Sequence, residues 1–96
     1  MTSTRNEYIA KARENLNLLN ARILELEAKA KEKKGEVRRE MDAKLDGIRE
    51  TKEQAQRQLQ ELKMASEPAW EDVKQGADQA YQTLSEAIER ARKRFQ

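Results

Sequence analysis

The chain reads as all-α, an antiparallel helical hairpin of coiled-coil type, on three observations. An apolar stripe runs through it at helical spacing, a single proline interrupts it at position 68, and 40% of its 96 residues are charged against 36% hydrophobic. The stripe is Ile9, Ala12, Leu16, Leu19, Ile23, Leu26 and Ala30, then Val37, Met41, Leu45 and Ile48, then Ala55, Leu59 and Leu62. Steps of three and four place these side chains on one helix face, which must be buried against other helices. A charge-rich composition with only four aromatics suits such a seam better than a thick core.

The elements follow in chain order. Thr4-Arg5-Asn6-Glu7 has the form of a capping box, so residues 1–4 are read as a tail with its cap and the first helix as beginning near residue 5. No proline follows until Pro68, and Gly35 and Gly47 each cost only about 1 kcal/mol in a helix interior. The expectation is therefore one long helix over about 5–66. Pairs such as Glu7 with Lys11, Glu25 with Lys29, Glu40 with Lys44 and Glu53 with Arg57 support helix on both sides of Gly35. The seam positions 33, 37, 41, 45 and 48 shift register locally, which a continuous helix absorbs by unwinding its supercoil. The alternative is a turn at Gly35, giving a three-helix bundle. Pro68 ends the long helix, Ser66 is the expected N-cap of the next, and a second helix over about 68–95 carries Trp70, Val73, Ala77, Ala80, Leu84, Ile88, Ala91 and Phe95. Its acids Glu71 and Asp72 lie at the start and its basic groups at the end, in keeping with the helix dipole. The whole chain, 1–96, is read as a single coiled-coil domain.

Length then sets the assembly. A helix over 5–66 would be about 93 Å long, and the second helix would cover only about 42 Å of it. The N-terminal half of the stripe, Ile9, Leu16, Leu19, Ile23 and Leu26, would stay bare and is assigned to a chain–chain interface, most simply of a homodimer. Met41, Leu45, Ile48, Leu59 and Leu62 would pack within the hairpin against Trp70, Val73, Leu84 and Ile88, with the Trp70 ring plugging its corner. Under the three-helix alternative the same stripe is satisfied inside one chain. Lys33 and Lys52 fall at seam positions, where polar residues set register and partner number.

The composition bounds function. Without histidine or cysteine the chain lacks the usual zinc ligands, the commonest general base and any disulfide, and no cofactor or metal is expected. Glu36 with Glu40, and Asp42 with Asp46, lie one turn apart but among basic residues, the pattern of a solvated face. The first eleven residues lack a signal-peptide core and no stretch could span a bilayer, so a cytoplasmic protein is expected. Twenty basic against eighteen acidic residues, a net charge of +2, is too balanced for a dedicated nucleic-acid binder, and any such contact must be local. The candidate is the basic C-terminal helix end, Arg90, Arg92, Lys93 and Arg94, as a contact for nucleic acid or an anionic membrane.

Ala65-Ser66-Glu67-Pro68-Ala69-Trp70-Glu71-Asp72-Val73-Lys74-Gln75-Gly76, followed by Ala80, Leu84, Ala87 and Phe95, resembles a family of short bacterial and cyanobacterial coiled-coil proteins associated with stress responses. Tyr8-Ile9-Ala10-Lys11 and the leucine and charge alternation after it are similar to that family's opening. The resemblance implies no catalytic residues. It adds a stress link to the leading expectation of a non-enzymatic scaffold or adaptor acting through oligomerisation and helix-surface contacts. A peripheral binder of anionic membrane or nucleic acid is the alternative.

Overall fold

The computed structural model describes residues 2–95, with side chains from Thr4 onward. Three helices pack antiparallel, α1 (Thr2–Glu32), α2 (Gly35–Met64) and α3 (Trp70–Arg94). The bundle measures 52 × 17 × 17 Å, and its radius of gyration of 15.5 Å exceeds the ~13 Å of a rounded domain of this length. The described residues contain no strand.

The long helix expected over 5–66 is two helices. Lys33 donates to the Ala30 carbonyl at 3.1 Å, Lys34 is extended at φ −137° and ψ 162°, and Gly35 takes φ +63°. That left-handed conformation clashes with a Cβ and is open to glycine, so the chain reverses within two residues. A connection this short makes α1 and α2 antiparallel neighbours.

The reversal redirects the stripe. Leu16, Leu19, Ile23 and Leu26, expected at a chain–chain interface, are buried inside this chain, and Ile9 packs half-buried against them. The part of the stripe expected to stay bare is covered by α2 and α3 of the same chain. Met41, Leu45, Ile48, Leu59, Leu62, Leu84 and Ile88 are buried as assigned, whereas Trp70 and Val73 are half-buried at the edge. Each fully buried leucine or isoleucine contributes about 1.5–3 kcal/mol. Val37, a stripe residue in the first turn of α2, stands 46% exposed at the end of the bundle. Lys33 lies in the turn and Lys52 is half-buried on α2.

The starts of α1 and α3 also differ from expectation. α1 is helical from Thr2, so Thr4 lies within the helix and is not its cap; Met1, part of the expected tail, lies outside the described residues. α3 begins at Trp70 and Ser66 does not cap it. Backbone bonds take that role around Pro68: Ala69 N–H donates to Ser66 O at 3.1 Å and Trp70 N–H to Glu67 O at 3.4 Å. The second of these turns places proline where its fixed φ is favoured.

Arg5 locks this corner. Its Nη2 donates to Leu62 O at 3.1 Å and to Ala65 O, carbonyls that the end of α2 leaves without helical partners. The same guanidinium lies 4.7 Å from the centroid of Trp70, whose ring meets Tyr8 edge-on at 5.8 Å. Glu67 adds an exposed ion pair at 3.8 Å.

Two outcomes follow for stability. Gly35→Ala forces a Cβ into the left-handed conformation and is expected to cost about 1–2 kcal/mol in urea unfolding. Arg5→Ala is expected to cost about 1.5–3 kcal/mol, and Arg5→Lys should recover little, because an ammonium supplies neither the fork nor the flat stacking face. A lysine variant as stable as the parent would show that charge alone holds the corner.

A cationic bundle end as candidate functional site

The antiparallel path of α1, α2 and α3 brings two basic segments, far apart in sequence, to one end of the bundle. The segment 29–40 carries Lys29, Lys31, Lys33, Lys34, Arg38 and Arg39 around the α1/α2 turn, and α3 delivers Arg90, Arg92, Lys93 and Arg94 to the same end. The juxtaposition is fixed by Arg94, whose Nη2 donates to Glu40 Oε2 at 3.1 Å across α3 and α2. Ten basic residues stand in these two segments against Glu32, Glu36, Glu40 and Glu89, a net of +6; against the whole-chain +2, the rest of the molecule carries −4. The charge is balanced in total and strongly polarised along the long axis.

Each expected contact residue has a definite place. Arg90 and Lys93 are exposed and without ion-pair partners among the described residues, Arg92 is half-buried and bonded to Glu89 at 2.8 Å, and Arg94 pairs with Glu40 and lies 5.4 Å from the Phe95 ring. Phe95 itself is buried. Among the basic residues of the turn segment Arg38 is paired, with Asp42 at 3.1 Å. Lys29, Lys31, Lys33, Lys34 and Arg39 have no carboxylate within ion-pair distance among the described residues. Exposed pairs of this kind contribute under about 1 kcal/mol each and are readily exchanged for other anions.

The α2/α3 groove at this end joins Arg90, a contact residue expected from the sequence, to Lys44, which the sequence did not single out for function. Lys44 and Arg90 both line it, together with Gly47, Thr51, Ala87 and Ala91. The Thr51 hydroxyl donates to Gly47 O at 2.9 Å. Gly47 sits mid-helix with a negative φ, and a Cβ built on it would meet nothing within 4 Å. The fold thus accepts a cost of about 1 kcal/mol relative to alanine there for no packing reason within the chain. Only the across-groove placement reveals the pair, since Lys44 and Arg90 lie far apart in the sequence.

Three of the four acidic residues in the one-turn pairs are engaged by arginine. Asp42 bonds Arg38, Asp46 bonds Arg49 at 3.0 Å, and Glu40 bonds Arg94, while Glu36 is exposed. The described residues hold no group of three acidic or other metal-ligating side chains, and none of their helices is long and apolar enough to cross a membrane. The chain matches no protein-family model, no curated protein and no solved structure.

At the opposite end, Tyr8 donates its hydroxyl proton to Asp78, with Lys74 5.1 Å from its ring centroid. Burial, then the Asp78 hydrogen bond and charge, push the Tyr8 hydroxyl above its usual range. Burial alone raises Tyr81, which is 6% exposed and whose hydroxyl has no hydrogen-bond partner. For both, the neutral form is favoured in the folded state. Their contribution is fully present below the unfolded tyrosine pKa of about 10 and is lost as pH rises above it. The melting temperature should therefore fall above about pH 10, and by less in the Tyr8→Phe/Tyr81→Phe double variant. An equal fall in both proteins would place the alkaline transition elsewhere.

Proposed function

We propose that the protein is a non-enzymatic binding module that docks on nucleic-acid phosphates through the cationic end of its bundle. The observation that supports this most directly is the convergence of residues 29–40 with Arg90, Arg92, Lys93 and Arg94 into one +6 end, most of whose cations are free of internal carboxylates. Phosphate contacts need only positioned lysine and arginine, and they supply most of the affinity of sequence-independent binding. An anionic membrane is the less suitable surface. Interfacial anchoring draws on apolar side chains as well as charge, and at this end the exposed large hydrophobic residue is Val37, with Phe95 buried. Tyr8 and Trp70 lie at the far corner and Tyr81 is buried, so no aromatic platform stacks bases beside the basic residues and the contact reads charge rather than sequence.

A stress-linked scaffold or adaptor working through helix-surface protein contacts is the second reading, supported by Leu18 and Leu24 on α1 at 53% and 56% exposure. Six residues apart, they point about 120° from one another and form no continuous apolar patch, which ranks this reading below the first.

Titration of a short labelled DNA duplex across a salt series tests the proposal. Four phosphate contacts would give a slope of log K against log salt near −3.6, and Lys33→Glu/Lys34→Glu/Lys93→Glu should abolish binding while leaving helicity unchanged. Binding that ignores both salt and these reversals would refute it.

A further inference from the structure

We infer that the α2/α3 groove beside the cationic end is a seat for one phosphate group of a nucleic-acid strand, held between Lys44 and Arg90; this rests on the nucleic-acid reading of that end. Two cations line one groove, and neither has an ion-pair partner among the described residues. The carboxylates a turn or less away are engaged elsewhere. Glu40 is taken by Arg94, Asp42 by Arg38, Asp46 by Arg49 and Glu89 by Arg92, while Glu86 accepts from the neutral Gln82 amide at 3.1 Å and keeps its charge. Like charges that share a groove without a paired carboxylate repel each other, and an anion entering between them relieves that repulsion.

The floor of the groove fits such a group. Gly47 leaves open the space that a methyl would occupy, and nothing in the chain fills it. Ala87 and Ala91 keep the opposite wall low. A helix-interior glycine with no packing reason inside its own chain is accounted for by close approach of a ligand. The two non-bridging oxygens of a phosphodiester match the donors: the Arg90 fork meets one side and the Lys44 ammonium the other. Lys44 stands one turn from Glu40 and Arg90 one turn from Arg94, so the groove adjoins the Glu40–Arg94 pair and a strand that crosses the cationic end can lay a further phosphate into it.

The test uses the full chain, a short labelled DNA duplex over a salt series, and co-sedimentation with phosphatidylserine/phosphatidylcholine vesicles. Lys44→Gln/Arg90→Gln should reduce the magnitude of the salt slope by about 1.8, two contacts' worth, and weaken binding at low salt by roughly tenfold or more. Arg57→Gln/Lys63→Gln, equal in charge removed and sited toward the other end, should change neither. Gly47→Ala should raise the melting temperature while weakening duplex binding, a combination that a purely structural glycine does not give. An unchanged affinity and slope in Lys44→Gln/Arg90→Gln, with binding still lost in Lys33→Glu/Lys34→Glu/Lys93→Glu, overturns the seat and leaves the cationic end standing. Wild-type protein that binds vesicles and no duplex overturns both.

Discussion

The left-handed backbone at Gly35 is the constraint on which the rest of the molecule depends. With φ at +63° and Lys34 extended before it, the chain leaves α1 and enters α2 in the opposite direction within two residues. That reversal closes the apolar stripe on itself: Leu19, Ile23 and Leu26 of α1 face the same interior as Met41, Leu45 and Ile48 of α2, and all six are nearly inaccessible to water. Without it, half the stripe would need another molecule to cover it. The same reversal brings Lys29, Lys31, Lys33 and Lys34 beside the C-terminal arginines of α3. One glycine conformation therefore assembles both the core and the charged end.

The opposite corner solves a different problem. The last carbonyls of α2 and the path around Pro68 leave acceptors unsatisfied, and Arg5, reaching over from the first turns of α1, supplies donors to two of them while its flat face rests on Trp70. Desolvated donors of this kind are worth more than exposed ion pairs such as Arg38 with Asp42 or Arg49 with Asp46. The two ends thus differ in character. One uses its arginine internally, and the other leaves most of its cations without an ion-pair partner among the described residues.

Periodicity made the helical class and nearly all the core legible, because a three-four spacing of leucine and isoleucine has one geometric meaning. It could not decide whether the stripe closed within the chain, because a lone glycine without asparagine, serine or proline beside it is as compatible with a helix interior as with a turn. What resolves the matter is the backbone conformation of Gly35, which composition does not encode. The basic tail Arg90 to Arg94 was legible as a charge run, but its meeting with residues 29–40 was not, since a net charge of +2 conceals a +6 end and a −4 remainder. Lys44 with Arg90, and Arg5 with Leu62 and Ala65, were hidden for the same reason: each is a relation across helices, and local spacing reads only relations along one.

The most direct measurement is the distance between spin labels placed at the exposed positions Ala10 and Arg57, read by pulsed electron resonance. With the chain reversed at Gly35 these positions lie level on neighbouring antiparallel helices, so the distance should be on the scale of the bundle's 17 Å width. An unbroken helix would separate them by about 70 Å, the rise of 47 residues, and a distribution centred there would contradict the fold and remove the basis for the cationic end.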